Sequence, residues 1–183
     1  PEVFQEDEKG EQRRDDIIIK SLLQQIPGVG CVTLDKLYKA GLGSLQALFL
    51  ANKDDLAAAT SIPVLLCERI ADKLQQYRRE AQDRCQDDPQ SAYRNRLTGL
   101  VAELRSRHED LEQAPTDAAA ILATEKRLRR QLRQQCFLEI VATLAELGEV
   151  ELINKLHRLS FRQRLKRLAD HLKISDGEGR GGP

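Results

Sequence analysis

Apolar residues recur along this chain at three- and four-residue intervals, broken by short Gly- or Pro-containing segments, and that spacing predicts helices. Ile17, Ile18, Ile19, Leu22 and Leu23 mark a short amphipathic helix that Pro27 and Gly28 stop. A second helix after Gly30 carries Val32, Leu34, Leu37 and Tyr38 on or near one face and ends at Gly41 and Gly43. Ser44 suits an N-cap for a third, with Leu45, Leu48 and Phe49 inward. Asp54 to Ala57 reads as a short helix or turn. After a break at Thr60–Pro63, a longer helix runs from Val64 to about Arg84 on Leu66, Ile70, Leu74 and Tyr77. Helix-break-helix over 17–38 thus recurs over 55–77. Each unit is too small to bury its own apolar face, and two together make one small core.

The second half has longer periods. Asp87 to Ser91 reads as a boundary, with Ser91 as a cap, before a helix on Tyr93, Leu97, Leu100, Leu104 and Leu111. Thr116 suits the cap of a long helix to about Leu147, striped by Leu122, Glu125, Leu128, Leu132, Cys136 and Ile140. Two long helices with a short connection predict an antiparallel hairpin. Gly148 reads as a terminator. Val150 to Leu159 and, capped by Ser160, Phe161 to Leu172 read as two further helices. The fold class predicted is all-α: a five-helix domain over 16–86 followed by a helical-hairpin bundle over 91–174. Residues 1–15 read as an acidic linker and 175–183 as a disordered Gly-rich tail.

Composition adds two constraints. The 29 basic and 29 acidic side chains cancel overall, which excludes a uniformly basic clamp. They are not evenly spread: residues 1–90 carry 12 Lys and Arg against 16 Asp and Glu, and residues 91–183 carry 17 against 13, so the two halves are electrostatically distinct. No apolar run approaches a membrane span and no signal peptide is visible, so no membrane partner is expected. The four cysteines are scattered without metal-ligand spacing, which suits inert thiols in a reducing, cytoplasmic setting. The chain has no Met and begins at Pro1, from which a fragment of a larger protein is expected.

Ile26-Pro27-Gly28-Val29-Gly30 carries the most specific chemistry. A tight glycine turn before a helix leaves backbone N–H groups without internal partners, where the helix dipole favours an anion. Both Gly28 and Gly30 are expected to permit positive φ and to leave no Cβ in the way of a phosphate. Thr33, Lys36-Leu37 and Ala40-Gly41-Leu42 follow. Ser44 to Leu48 and Asp54-Asp55-Leu56 then lead to Ile62-Pro63 and Glu68-Arg69-Ile70. With these residues the segment 16–80 resembles the tandem helix-hairpin-helix family. The resemblance implies phosphate-backbone contacts to DNA through Gly28, Val29, Gly30, Cys31 and Val32, with Lys36 reaching a neighbouring phosphate. It departs from the family pattern at Val32, where a basic residue is common, and at Leu34, where a small one is usual. In the second hairpin Ser61 stands where glycine is common, and Pro63 has no amide to donate. The alternative is a hairpin that serves packing alone.

Lys126, Arg127, Arg129, Arg130 and Arg133 form the densest basic cluster. Arg127 and Arg130 are its candidate nucleic-acid contacts. The bland expectation is a solvated face paired with Glu103, Glu109, Asp110 and Glu112 of the preceding helix. The leucine stripes read as an internal core, or in part as a seam for self-association or another protein. His108, His157 and His171 fall on separate helices, so no metal site is expected. No nucleophile-base set, phosphate-binding loop or cofactor motif appears, so the chain is expected to be neither an enzyme nor a cofactor binder. Two functions follow: a low-specificity DNA-backbone module, or a protein-interaction adaptor.

Overall fold

The computed structural model describes residues 2–84, 88–113 and 121–178, with side chains over 9–84, 88–113 and 123–173. Among these residues the chain is all-α: α1 (Glu2–Leu23), α2 (Cys31–Lys39), α3 (Leu45–Leu50), α4 (Lys53–Thr60), α5 (Val64–Arg84), α6 (Pro89–Glu112), α7 (Ile121–Glu146), α8 (Val150–His157) and α9 (Phe161–Glu178). The first five are the expected five-helix unit, and the last four the bundle.

Two apolar cores form, and α1 serves both. Consecutive helical residues point about 100° apart, so one helix can face two ways. Ile18 and Leu22 enter a core built on Phe137, Ile140, Val141 and Leu144 of α7, with Leu97, Val101 and Leu104 of α6 and Leu165 and Leu168 of α9. Ile19, Leu23 and the following Ile26 enter the other core, with Leu34, Leu37, Leu48, Leu56, Ile70 and Leu74. The two halves are therefore wedged together on a shared helix.

The stretch expected as an acidic linker is helical from Glu2. Its Glu, Gln, Lys and Arg residues are good helix formers, and the apolar turn from Ile17 anchors them. Asp15 and Asp16 then hold the next elements: Asp16 Oδ1 accepts from the Tyr38 hydroxyl at 2.7 Å, and Asp15 Oδ2 accepts from the Leu45 N–H at 3.1 Å. Residues 175–178, expected in a disordered tail, belong to α9, which continues through Glu178. Residues 179–183 and the expected Thr116 cap lie outside the described residues.

Ser44 caps α3 through the Ala47 N–H. Ser160 and Gln163 bond reciprocally at the start of α9. Gly148 closes α7 at φ +79°. Ser91 does not cap α6, which starts two residues earlier with Pro89 in the first turn, where a missing N–H costs nothing. The α7 stripe is also corrected. Glu125 and Leu128 are exposed, Leu128 by 52 %, and burial concentrates in Cys136–Ala145, where α7 passes between α1 and α6. Arg129 Nη1 to the Asp110 carbonyl (2.9 Å), Cys136 Sγ to the Leu100 carbonyl (3.5 Å) and Arg96 to Glu139 (2.9 Å) step in opposite directions along α6 and α7. That sequence of contacts gives the antiparallel hairpin.

An ionic network closes the junction between the halves. Glu139 of α7 takes Lys73 of α5 at 3.0 Å and Arg96 of α6 at 2.9 Å, and Arg96 also holds Glu80 at 3.0 Å. Arg84 pairs with Glu146 at 3.1 Å, both side chains largely buried. Burial by itself favours the neutral Glu139 acid, but Lys73 and Arg96 outweigh it and hold the carboxyl below the usual 4.5. At Glu146 burial wins over the Tyr77 hydroxyl and Arg84, and its carboxyl is raised.

Truncating Leu22, which is 2 % exposed, is expected to cost about 2–5 kcal/mol in urea unfolding, with both halves melting together because the helix is common to them. A carboxyl depressed in the folded state stabilises above its unfolded value and loses that contribution as pH falls through the folded one. Stability should therefore fall on acidification below 4.5, and Glu139→Gln, measured by thermal unfolding across pH, should flatten that acid slope while lowering stability at neutral pH.

Candidate nucleic-acid interface

The first hairpin leaves α1 through a string of tight turns. Gln24, Gln25 and Ile26 donate back to the carbonyls of Lys20, Leu22 and Leu23 at 3.0–3.3 Å. Ile26 is buried and anchors the turn to the core beneath it, while Pro27 stands exposed. Val29 N–H closes the bend onto the Ile26 carbonyl at 3.1 Å. Gly28 has φ +94°, in the left-handed region, and a Cβ there would meet only Leu66 Cδ1 at 3.8 Å. Backbone conformation, not crowding, requires glycine at this point.

Gly30 differs from the expectation. Its φ is −130°, an extended value open to any residue, and nothing lies within 4 Å of a Cβ built on it. Its importance is what it lacks. Gly30 is the N-cap of α2 and supplies no capping side chain, and the first turn of α2 holds no acidic residue. Helix geometry leaves the first N–H groups of α2 without carbonyl partners, and here no side chain takes their place. Gly28, Gly30, Cys31 and Val32 are all exposed, with Val29 half-buried. Apart from the bonded Val29 N–H, the bend presents bare donors at the positive end of a helix dipole.

Lys36 is half-buried, and its Nζ donates to the Ser61 carbonyl at 3.4 Å. It bridges to the second hairpin, where the expectation had it reaching a phosphate. Ser61 caps α4 in the left-handed conformation at φ +53°, alone in this among the described non-glycine residues. Beyond it α5 begins at once: the Pro63 carbonyl accepts from Leu66 and Cys67 at 2.9 and 3.0 Å. Where the first hairpin shows Gly28 and Val29 after Ile-Pro, the second shows Val64 (54 % exposed) and Leu65 (74 %). Val32, expected on an inward face, is 70 % exposed. The second hairpin thus presents exposed apolar side chains at the start of its helix.

The structure brings α7 to the same end of the molecule. Gln135 Nε2 donates to the Gln25 carbonyl at 2.9 Å, two residues before Pro27. Lys73 with Glu139 and Arg84 with Glu146 show that α5 and α7 run in the same direction. The start of α5 lies beside Gly28 through Leu66, so the N-terminal half of α7 points towards the hairpin end. Arg130 and Arg127 precede Gln135 by five and eight residues, about 8 and 12 Å along the axis at 1.5 Å per residue. Both are exposed and neither has an ion pair among the described residues. The expected pairing of the basic cluster with α6 carboxylates does not occur. Arg129 instead holds Glu125 on its own helix and the Asp110 carbonyl, and Glu103 holds Arg107 on its own helix. Gln25 and Gln135, which join α7 to the hairpin, carry no sequence signal, being 110 positions apart.

Among the described residues no group of His, Cys, Asp and Glu can hold a metal, and no helix is long and apolar enough to cross a membrane.

The sequence profile of the SAM-like helix-hairpin-helix tandem family matches residues 20–76. Residues 20–76 are a tandem helix-hairpin-helix domain. The match covers α2, α3 and α4 with most of α5 and the end of α1, and no family match extends into the C-terminal half. Over 63 residues the chain is 38% identical to the DNA repair and recombination protein RadA of Aeropyrum pernix, an overlap of 34% of this chain and 18% of RadA. The chain thus spans less than a fifth of that relative's length. No solved structure matches significantly.

Two glycines of the helix-hairpin-helix should respond differently to substitution. Gly28→Ala is expected to lower stability by about 1–2 kcal/mol because alanine must adopt a left-handed backbone. Gly30→Ser, which adds a cap at an unstrained position, is expected to leave stability unchanged or raise it by a few tenths, roughly, of a kcal/mol. Urea unfolding of both variants checks the pair.

Proposed function

We propose that this chain is a non-catalytic, low-specificity DNA-binding module that holds the phosphate backbone at the hairpin end. The observation that carries the reading is the uncapped start of α2, where Gly30 leaves exposed amides with neither a side-chain acceptor nor an acidic neighbour in the first turn. Backbone N–H groups reach phosphates and carry no sequence information, so base readout is not part of the mechanism. Arg127 and Arg130 add two cations at the same end that have no ion pair among the described residues. The family of residues 20–76 and the likeness to a DNA repair and recombination protein support the choice of DNA. The unpaired thiols of Cys31, Cys67 and Cys136 fit a reducing cytoplasmic setting.

One observation favours a second reading. Val32, Val64 and Leu65 are exposed on the two hairpins, as an adaptor surface for another protein would be.

Fluorescence anisotropy with duplex and single-stranded DNA across a salt series separates the two. Two arginines neutralising phosphates predict that log affinity falls with log salt with a slope of about −2. Gly30→Asp keeps an N-cap, and so the fold, but places a carboxylate against the incoming phosphate. It is expected to weaken binding about tenfold or more, the equivalent of roughly 1.4 kcal/mol. Binding that ignores both salt and Gly30→Asp would leave the adaptor reading in its place.

A further inference from the structure

Phe161, the first residue of α9, is the platform for a charge arrangement that the fold does not explain. The Arg133 guanidinium of α7 lies over its ring at 3.9 Å from the centroid, and that of Arg164 lies over it at 4.6 Å. Arg164 also stacks on Phe137 at 4.2 Å. Two like charges are thus held on one aromatic ring, and no carboxylate forms an ion pair with either among the described residues. Glu112, at the end of α6, acts on Arg133 only through space.

The existing hydrogen bonds satisfy one arginine better than the other. Arg164 donates from Nε to the Leu156 carbonyl at 2.8 Å and from Nη2 towards the His157 carbonyl at 3.5 Å, at the negative end of α8. Arg133 has less. Its Nη1 meets His108 Nδ1 at 3.0 Å. A guanidinium only donates, so that His108 nitrogen accepts and the ring proton belongs on Nε2. Arg133 Nε is shielded from solvent and has no hydrogen-bond partner among the described residues. Burial first, and then the neighbouring charge of Arg130, disfavour the Arg133 cation; burial and Arg133 do the same to Arg164. Each is a cost that a nearby anion would remove.

We propose that Arg133 and Arg164, mounted on Phe161, form a second phosphate-binding site of this protein, occupied by the nucleic-acid backbone beyond the hairpin end. The planar guanidinium fork suits a phosphate oxyanion. A nucleic acid, rather than a single acidic side chain, is favoured by the row it completes. Arg127, Arg130 and Arg133 follow at three-residue spacing on neighbouring positions of one helix surface, so cations continue from the hairpin end to the Phe161 platform. The inference rests on the DNA-binding reading of the hairpin and extends its footprint along α7 to α9.

Two measurements test it. Inorganic phosphate titrated into the wild-type chain, followed by NMR of the arginine side chains and the His108 ring, should shift Arg133, Arg164 and His108 together and saturably, and a short DNA duplex should displace the phosphate. In the DNA salt series the second site should steepen the wild-type slope beyond the value of about −2 that Arg127 and Arg130 give alone, and Arg133→Gln should make it shallower by about one. Arg133 is bonded to no backbone group, so this variant is expected to keep the wild-type circular dichroism spectrum. Phosphate that fails to shift these resonances, or an unchanged slope for Arg133→Gln while Gly30→Asp weakens binding, overturns the second site and leaves the hairpin reading standing. Wild-type protein that binds no DNA overturns both. Saturable phosphate shifts that DNA does not reverse, or that polyglutamate reverses equally well, assign the site to a free anion or an acidic protein and overturn the nucleic-acid proposal.

Discussion

The two-faced burial of α1 is the constraint on which the arrangement depends. Ile18 and Leu22 belong to the bundle core, and Ile19 and Leu23 to the hairpin core, within a single helical turn and a half. Neither half can turn against the other without exposing one of these pairs. At about 25 cal/mol per Å² of apolar surface, even one such side chain is worth roughly 1.5–3 kcal/mol. The glycine bend follows within a few residues of Leu23, so the direction in which its amides face is set by the same packing.

Position along the remaining degree of freedom is set by charge. Lys73, Arg96, Arg84, Glu80, Glu139 and Glu146 join α5, α6 and α7 across the junction. The pairs Lys73–Glu139 and Arg84–Glu146 match at one register, and a slip leaves buried charges without partners. Buried ion pairs are poor sources of net stability, so their contribution here is specificity. That register places Gln135 on the Gln25 carbonyl and puts the Arg127–Arg130 stretch at the hairpin end.

Much of this was legible in the sequence, because helices and caps are local. The breaks at Pro27–Gly30 and Thr60–Pro63, the Ser44 and Ser160 caps and the Gly148 terminator each follow from a few neighbouring residues. Most of the core faces of α5 and α6 followed from periodicity, although Cys67 and Val101 are buried where Leu66 and Leu100 were expected and are only half-buried. Periodicity failed where burial depends on a distant partner: Leu128 continues the α7 stripe but reaches past the helices that cover Cys136–Ala145. It failed again at residues 2–14, which are polar yet helical as an extension of the anchored turn at Ile17–Leu23. At the site, glycine spacing identified the bend but could not distinguish the left-handed Gly28 from the extended, uncapped Gly30. Nor could the sequence reveal that Lys36 turns to Ser61 or that Arg133 and Arg164 share Phe161. Each of those depends on which elements the two cores bring together.

The most direct test of the central claim is amide NMR of the wild-type chain during titration with a short DNA duplex at low salt. The account predicts that the largest shifts fall together on the N–H groups of Gly28, Gly30, Cys31 and Val32 and on the α7 segment around Arg127 and Arg130. Shifts confined to other surfaces, with the Gly28–Val32 amides unmoved, would contradict it.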